Sequence, residues 1–328
     1  MKRFKTFLLL FSVIAVLLLA ACGGKEEKAT EKTDQKTTEE STYTIEHAMG
    51  PTVIKGTPKR VVILTNEGTE ALLALGVKPV GAVQSWLGDP WYEHISKDME
   101  GVEVVGTESE VNVEKIASLK PDLIIGNKLR QEKIYDQLNA IAPTVFSETL
   151  RGDWKENFKL YAKALNLEEK GNEVLGHYEQ HVADVKEKLG DKVNKEISVV
   201  RFMAGTSRIY YTDSFSGVIF NELGFKRAAH QEELFTSDNK LGNLAVEVGK
   251  EVIPKMDADY LFYFTYAPQG DQEALNTAKE WTSDPLWQNL NAVKNGNAFE
   301  VSDAIWNTSG GVISANLMLD DLEKLLTN

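Results

Sequence analysis

One stretch limits the architecture more than any other: NLEEKGNEVLGHYEQHVADVKEKLG, from Asn166 to Gly190. Leu167, Val174, Leu175, Tyr178, Val182, Val185 and Leu189 recur there at intervals of three and four. That spacing stacks them on one stripe of a 3.6-residue helix, with Glu, Lys and His on the other side. At 1.5 Å per residue such a helix runs on the order of 30 Å. Nearly equal lengths of alternating strand and helix pattern precede and follow it. The chain therefore folds either as one domain with a long helix or as two lobes joined by a spine.

The first flank begins with Lys59-Arg60-Val61-Val62-Ile63-Leu64-Thr65, an apolar run of the kind buried in a parallel sheet. Asn66 to Gly76 reads as a helix with a glycine stop. Strands are expected at 79–84, 102–105, 122–125 and 143–146, with helices at 113–119, from 126 to 141 and at 154–165. The second flank repeats the order, with strands at 197–203, 208–212, 258–265 and 298–302 and helices at 215–223, 272–280 and 312–326; 228–249 has little periodicity. Such alternation argues for an α/β fold with mainly parallel sheets, and the working expectation is two lobes with central parallel-type sheets joined by one long helix, the ligand cleft between them.

An internal echo favours two lobes. Glu114-Lys115-Ile116-Ala117-Ser118-Leu119-Lys120-Pro121-Asp122-Leu123-Ile124-Ile125 lies without a gap on Glu251-Val252-Ile253-Pro254-Lys255-Met256-Asp257-Ala258-Asp259-Tyr260-Leu261-Phe262. Each reads as a glutamate, a short amphipathic helix, a turn with Asp and an apolar strand, as expected of lobes built alike. Glu114 and Glu251 are then exposed, one on each lobe.

The chain opens with Lys2, Arg3 and Lys5, an apolar run from Phe7 to Leu19 broken by Ser12, and the small residues before Cys22. This is the pattern of a secretory signal over 1–21. Cys22 is the one cysteine, so no intramolecular disulfide forms. The Lys-, Glu- and Thr-rich segment to about Thr42 has no core-forming side chain and reads as a disordered tether. The expected organisation is a leader at 1–21, a tether at 22–42, a lobe at 43–165, the helix at 166–190 and a lobe at 191–328.

Formal charge is −13, and loss of residues 1–21, with three basic groups and no acid, makes it −16. That excludes nucleic acid as a natural partner but not a small anion held by local arginines. The sequence has no G-x-G-x-x-G, no P-loop, no H-E-x-x-H and no G-x-S-x-G. Asp213, Ser214 and Ser216 have no histidine placed to complete a triad. Of the five histidines, His47, His94, His177, His181 and His230, the i,i+4 pair at 177 and 181 lies on the polar side of the long helix without a third ligand. These absences argue against an enzyme and against a metal held directly by the protein.

Ligands of open α/β sheets gather beyond the C-terminal ends of strands. Asn66, Trp86, Lys128 and Arg130 stand there in the first flank. Trp86 is either a stacking wall or a half-buried loop residue. Lys128 and Arg130 oppose the dipole of the helix they start, a small cost that serving an anion would explain. The second flank offers Arg201, Arg208, Tyr210, Tyr211, Tyr263, Phe264, Tyr266 and Trp306-Asn307. Arg201, inside an apolar strand, requires either a buried acid or an anionic ligand.

The Leu19-Ala20-Ala21-Cys22-Gly23 lipobox, the tether, PKRVVILTNEGTEALLALGVKPVGAV, VEKIASLKPDLIIG and the spine helix together resemble the substrate-binding lipoproteins of ABC importers for iron(III)-siderophores and cobalamin. The resemblance covers essentially all the chain beyond the tether. It is closest to the hydroxamate and citrate-hydroxamate siderophore binders of Gram-positive bacteria. It implies two Rossmann-like lobes, lipid on Cys22 and a place on the extracellular face of the cell membrane. It also implies a monomer that delivers a ferric siderophore to a permease dimer with its ATPase subunits. Iron would enter only as the siderophore complex, with no resident cofactor. Glu114 and Glu251 would meet arginines of the permease. Trp86, Lys128, Arg130, Arg201, Tyr210, Tyr266 and Trp306 would surround the ligand in a carboxylate-poor pocket.

Overall fold

The computed structural model describes residues 41–327. The expected leader, Cys22 and nearly all of the tether lie outside the described residues. Thr42 is already in a strand: β1 (Thr42–His47) and β2 (Gly50–Lys55) form an antiparallel hairpin that buries Ile45 and Ile54.

The first sheet contains β3 (Val61–Ile63), β4 (Gly81–Ala82), β5 (Glu103–Val104), β6 (Leu123–Asn127) and β7 (Thr144–Ser147). All are parallel, in the order β5-β4-β3-β6-β7. The Val, Ile and Leu runs of the central β3 and β6 fit strands covered on both faces. The order turns at β3, so a crevice opens where β3 and β6 run into their following helices. Thr65 caps the helix Asn66–Ala74, its hydroxyl accepting from the Gly68 N–H at 3.1 Å. A Cβ on Gly68 would come within 2.4 Å of Ile63 Cδ1, so only glycine lets this helix start so close to β3.

The second sheet contains β8 (Glu196–Met203), β9 (Thr206–Tyr210), β10 (Lys226–Arg227), β11 (Ala245–Val248), β12 (Tyr260–Thr265) and β13 (Ala298–Glu300). Its order is β11-β9-β8-β12-β13, with β10 also paired to β8. Unlike the first sheet it is mixed, because the two-residue Ala204-Gly205 turn sends β9 straight back along β8. Gly205 takes φ +69°, which a glycine adopts at no steric cost. β11 arises in the weakly periodic 228–249 stretch and is antiparallel to β9.

The helix between the sheets spans Glu168–Leu189. Asn166, at φ +56°, separates it from the preceding helix Trp154–Ala164, and Gly190 ends it. Leu175, Tyr178, Val185 and Leu189 of the expected stripe are buried. Trp154, before the spine, packs edge-on against Tyr178 of the spine at 5.0 Å and against Phe215 of the second lobe at 6.2 Å. Tyr178 donates to Glu222 Oε2 at 2.7 Å, and Lys155 pairs with the other oxygen of Glu222. The spine therefore holds both lobes by side chains as well as by its backbone.

The terminal helix Val312–Thr327 returns along the spine. His181 meets its Asn316 at 2.8 Å and Asp320 at 3.3 Å, so this histidine is an inter-helix contact, while His177 is exposed. A further tie joins the lobes: the fully buried Glu70 Oε2 accepts from Ser314 N at 2.8 Å and Ser314 Oγ at 2.9 Å. Its Oε1 lies 2.7 Å from His94 Nε2. A Cβ on Gly311 would come within 2.6 Å of Glu70 Cβ, so the approach depends on glycine.

The echo is also structural. Glu114 lies in the first turn of the helix Val113–Leu119 that leads into β6, and Glu251 in the turn Lys250–Met256 that leads into β12. Ile116 and Ile253, each two residues on, are fully buried, while both glutamates are exposed. The second turn is 3-10 rather than α, because Pro254 has no N–H to donate. No helix among the described residues is long and apolar enough to cross a membrane.

Candidate functional site

A cavity of about 340 Å³ lies between the lobes. Its first-lobe wall comes from the loops after five successive strands: Glu67 after β3, Trp86 after β4, Glu108 after β5, Arg130 after β6, and Leu150 and Arg151 after β7. Its second-lobe wall is Arg201 and Met203 of β8, Arg208 and Tyr210 of β9, Leu244, Tyr266 after β12, and Asn307 to Gly310 beyond β13. Both sheets thus direct strand ends at one space, the placement that α/β topology favours for a ligand. The volume lies within the usual range for small-molecule sites.

Four guanidinium groups enter this space. Arg201, 7% exposed, is forked onto Asp303, with Nε donating to Oδ2 at 2.6 Å and Nη2 to Oδ1 at 3.1 Å. Its Nη1 donates to the Tyr210 hydroxyl at 3.2 Å, and the Tyr266 ring centroid lies 4.3 Å away. Burial alone would lower the Arg201 pKa, but Asp303 and Tyr210 overturn that and hold it above the ordinary arginine value. Of the two alternatives open for this residue, the buried acid is present, and the guanidinium still forms part of the cavity wall.

Arg130 is held more loosely, with Nε 3.6 Å from Glu108 Oε2 and the guanidinium 5.9 Å from the Trp86 ring centroid. Glu108 is fixed by Asn66, whose backbone N–H and side-chain amide donate to Oε1 at 2.7 and 2.9 Å. Arg208 reaches Glu247 at 3.2 Å. Arg151 has no ion pair among the described residues. The residue is solvent-exposed, yet desolvation at the mouth of the cleft and the charges of Arg130 and Arg208 push its pKa below the ordinary arginine value. It also sits at φ +75°, a left-handed backbone uncommon outside glycine and costing on the order of 1 kcal/mol. Arg151 is the cationic group in this space with the most to gain from an anion.

Of the seven residues expected around the ligand, Trp86, Arg130, Arg201, Tyr210 and Tyr266 line the cavity. Lys128 does not, because its ammonium turns to Glu148 at 2.8 Å. Nor does Trp306, which is fully buried, packs at a tilt against Phe262 at 4.9 Å and donates its indole N–H to Asp321 at 3.0 Å. The expected scarcity of carboxylates is corrected by Glu67 and Glu108, both buried in the wall. Sequence reading passed over these two and Arg151. Glu67 looked like an ordinary helix-start acid, and neither Glu108 nor Arg151 belongs to a periodic pattern. A π-helical turn, Ala304–Thr308, brings in Asn307 and Thr308, and its register has no sequence signature.

Among the described residues no group of three His, Cys, Asp or Glu side chains is placed to hold a metal. The wall offers donors in forked arrays, suited to oxygen-rich anions, and aromatic faces at Trp86 and Tyr266 for flat or apolar parts.

Residues 61–304 match the model of a family described as periplasmic binding protein. The chain is 55% identical over 324 residues, 98% of each protein, to the probable siderophore-binding lipoprotein YfiY of Bacillus subtilis strain 168. It is 33% identical over 328 residues, 97% of this chain and 98% of the other, to the Fe(3+)-citrate-binding protein YfmC of the same strain. Staphylococcus aureus SirA complexed with staphyloferrin B superposes with a TM-score of 0.79 at 40% identity, over 87% of this chain and 98% of that one.

Proposed function

The chain belongs to the periplasmic binding protein family, and from that premise we propose that its cleft captures a ferric siderophore of the anionic hydroxamate or citrate-hydroxamate class. It is the extracytoplasmic, membrane-anchored substrate-binding component of an ABC iron-siderophore importer, a binding protein and not an enzyme. Iron is cargo, enclosed by its chelator, and the protein meets the chelator's outer oxygens.

One observation carries the choice of an anionic chelate: arginines from both lobes, Arg130 and Arg151 facing Arg201 and Arg208, converge on one cavity. Glu108, Asp303 and Glu247 answer three of them, and Arg151 is left for the ligand. Such a wall suits a ligand bearing negative oxygens and disfavours a cationic one. The Fe(3+)-citrate named for one relative supports an oxygen-rich anionic ligand, and the siderophores named for the others support a ferric chelate as cargo.

Glu114 and Glu251 form a matched acidic pair, each exposed on the turn that enters a central strand of its sheet. We read them as the contacts to basic residues of the permease, one per lobe, and Cys22 as the lipid-bearing residue.

Calorimetric titration of the protein lacking residues 1–22 with ferric citrate, ferric citrate-hydroxamate and ferric tris-hydroxamate chelates tests the ligand class. Binding of at least one anionic chelate with one-to-one stoichiometry is expected. Heat from a cationic chelate alone, or from none of the panel, would sink the reading.

A further inference from the structure

Glu67 is the one acid in the cavity wall that no arginine answers. It lies in the first turn of the helix after β3 and is 6% exposed. Two side-chain donors converge on a single one of its oxygens, and the Arg151 backbone N–H also hydrogen-bonds the carboxyl. Asn157 Nδ2 reaches Oε1 at 2.6 Å and the Tyr161 hydroxyl reaches it at 3.2 Å. The Asn157 direction is fixed from behind. Asn157 Nδ2 also donates to the Thr149 carbonyl at 2.8 Å, which can only accept, so the amide nitrogen is the atom facing Glu67. Asn127 Nδ2 donates to Ser147 Oγ at 2.9 Å, and Ser147 lies 2.8 Å from the Tyr161 hydroxyl. Tyr161 donates its hydroxyl proton to Oε1, while Ser147, which accepts from Asn127, has both Tyr161 and the Gly126 carbonyl at 3.4 Å within reach of its own proton.

Two donors on Oε1 suit a carboxylate oxygen as well as the carbonyl oxygen of an acid, and when the group holds a proton that proton belongs on Oε2. Oε2 has no side-chain partner among the described residues, and Glu67 lines the cavity. We propose that Glu67 meets the ligand as a carboxylic acid, its Oε2 hydroxyl donating to a negative oxygen of the chelate. This makes it a specificity residue for acceptor-rich anions and ties capture to one proton. The inference rests on the reading of the cleft as an anionic-chelate site.

The electrostatic surroundings agree. Burial pushes the Glu67 pKa up to about 8, and the charge of Glu108 adds to the rise. The hydrogen bonds from Asn157, from Tyr161 and from the Arg151 backbone act the other way without cancelling it. Arg130, Arg201 and Arg208 enter the same space from the other walls, and on the next turn of its helix Glu70 is occupied by His94 and Ser314. A negative ligand beside the carboxyl raises its affinity for a proton further, so binding and protonation favour each other.

The test is calorimetry with a ferric citrate-type chelate at pH 7, 8 and 9, each in two buffers of different ionisation enthalpy, on the wild type and Glu67→Gln. For the wild type, Kd is expected to weaken about tenfold from pH 7 to pH 9, the ratio set by a group near 8 that must be protonated. At pH 8 a fraction of a proton is taken up per ligand bound. In Glu67→Gln the same pH range changes Kd by less than about twofold beyond the chelate's own titration, and that proton uptake is gone. Equal pH dependence and equal proton counts in the two proteins would overturn the proposal while leaving the ligand class intact. No binding of any anionic chelate by the wild type would overturn both. Should Glu67→Gln fail to fold, the wild-type proton count decides alone, and a value of zero at pH 8 rejects the proposal.

Discussion

Asp303 grips Arg201 through two hydrogen bonds, at 2.6 and 3.1 Å, and so leaves Nη1 as the donor turned toward Tyr210 and the cavity. The pair joins β8 to the segment after β13, strands that are not neighbours in the sheet. It therefore holds the back wall of the cleft and orients a cation there.

Replacing Asp303 with Asn leaves a buried guanidinium without its countercharge. Stability should fall by about 3 kcal/mol, the usual cost of breaking one side of a buried pair. Urea unfolding of Asp303→Asn, of Arg201→Met and of the double variant checks this. The double variant should be more stable than the sum of the single losses implies.

Arg151 has no carboxylate to leave when a ligand arrives. Arg151→Ala should weaken binding of an anionic ferric chelate by about 10- to 100-fold, the worth of one charge-assisted hydrogen bond. Lys128→Ala, whose ammonium is turned to Glu148, should change affinity by less than about twofold. Titration at low and high ionic strength should show the arginine effect shrinking as salt screens it.

Trp306 separates packing from ligand contact. Trp306→Phe keeps an aromatic ring in the core but strands Asp321, so a loss on the order of 2 kcal/mol is expected in denaturant unfolding. Chelate affinity measured on the folded variant should match the wild type. A selective loss of affinity at unchanged stability would place Trp306 at the ligand after all.

Glu114→Arg with Glu251→Arg should leave chelate binding within about twofold of the wild type and abolish uptake of labelled iron by cells. The glutamates are exposed on the turns that enter β6 and β12, whereas the cavity is at the opposite ends of those strands. Loss of affinity in step with loss of uptake would remove the docking role.

Glu67 also predicts a pH dependence of folding. Its folded pKa of about 8 lies above the ordinary 4.5, so the folded state holds this proton more tightly than the unfolded chain does. The contribution is complete below about pH 4.5 and is lost as pH rises to about 8. Relative to Glu67→Gln, the wild type should therefore lose stability steadily from pH 5 to pH 8 and stay level above it. Unfolding midpoints of both proteins across that range are the measurement.

The spine and both sheets were legible because they rest on periodicity. The stripe from Leu175 to Leu189 and the apolar runs at Val61 and Leu123 report burial directly. The hairpin at 42–55 has no such long run, although Ile45 and Ile54 face inward from alternating strands around the Ala48-Met49 turn. The site was legible in half. Arg130 and Arg201 stand out because charge beside an apolar strand conflicts with burial. Glu67, Glu108 and Arg151 acquire their meaning only when the opposite lobe covers them, and no local pattern encodes that cover. Trp306 failed for the converse reason, since position after a strand does not say whether a side chain turns outward or into the core.

The spine carries Tyr178, which meets Trp154 of one lobe and Glu222 of the other, so neither lobe moves far without disturbing a shared residue. Such a strut conveys little news. On our reading of Glu114 and Glu251, the surfaces bearing them would look nearly the same to an outside observer whether the cleft is full or empty. A transporter in the membrane would then engage vacant and loaded carriers alike, and only the loaded visits would deliver cargo. Supply of vacant protein would slow uptake by competition, and the ratio of carrier to transporter becomes a quantity the cell has reason to regulate.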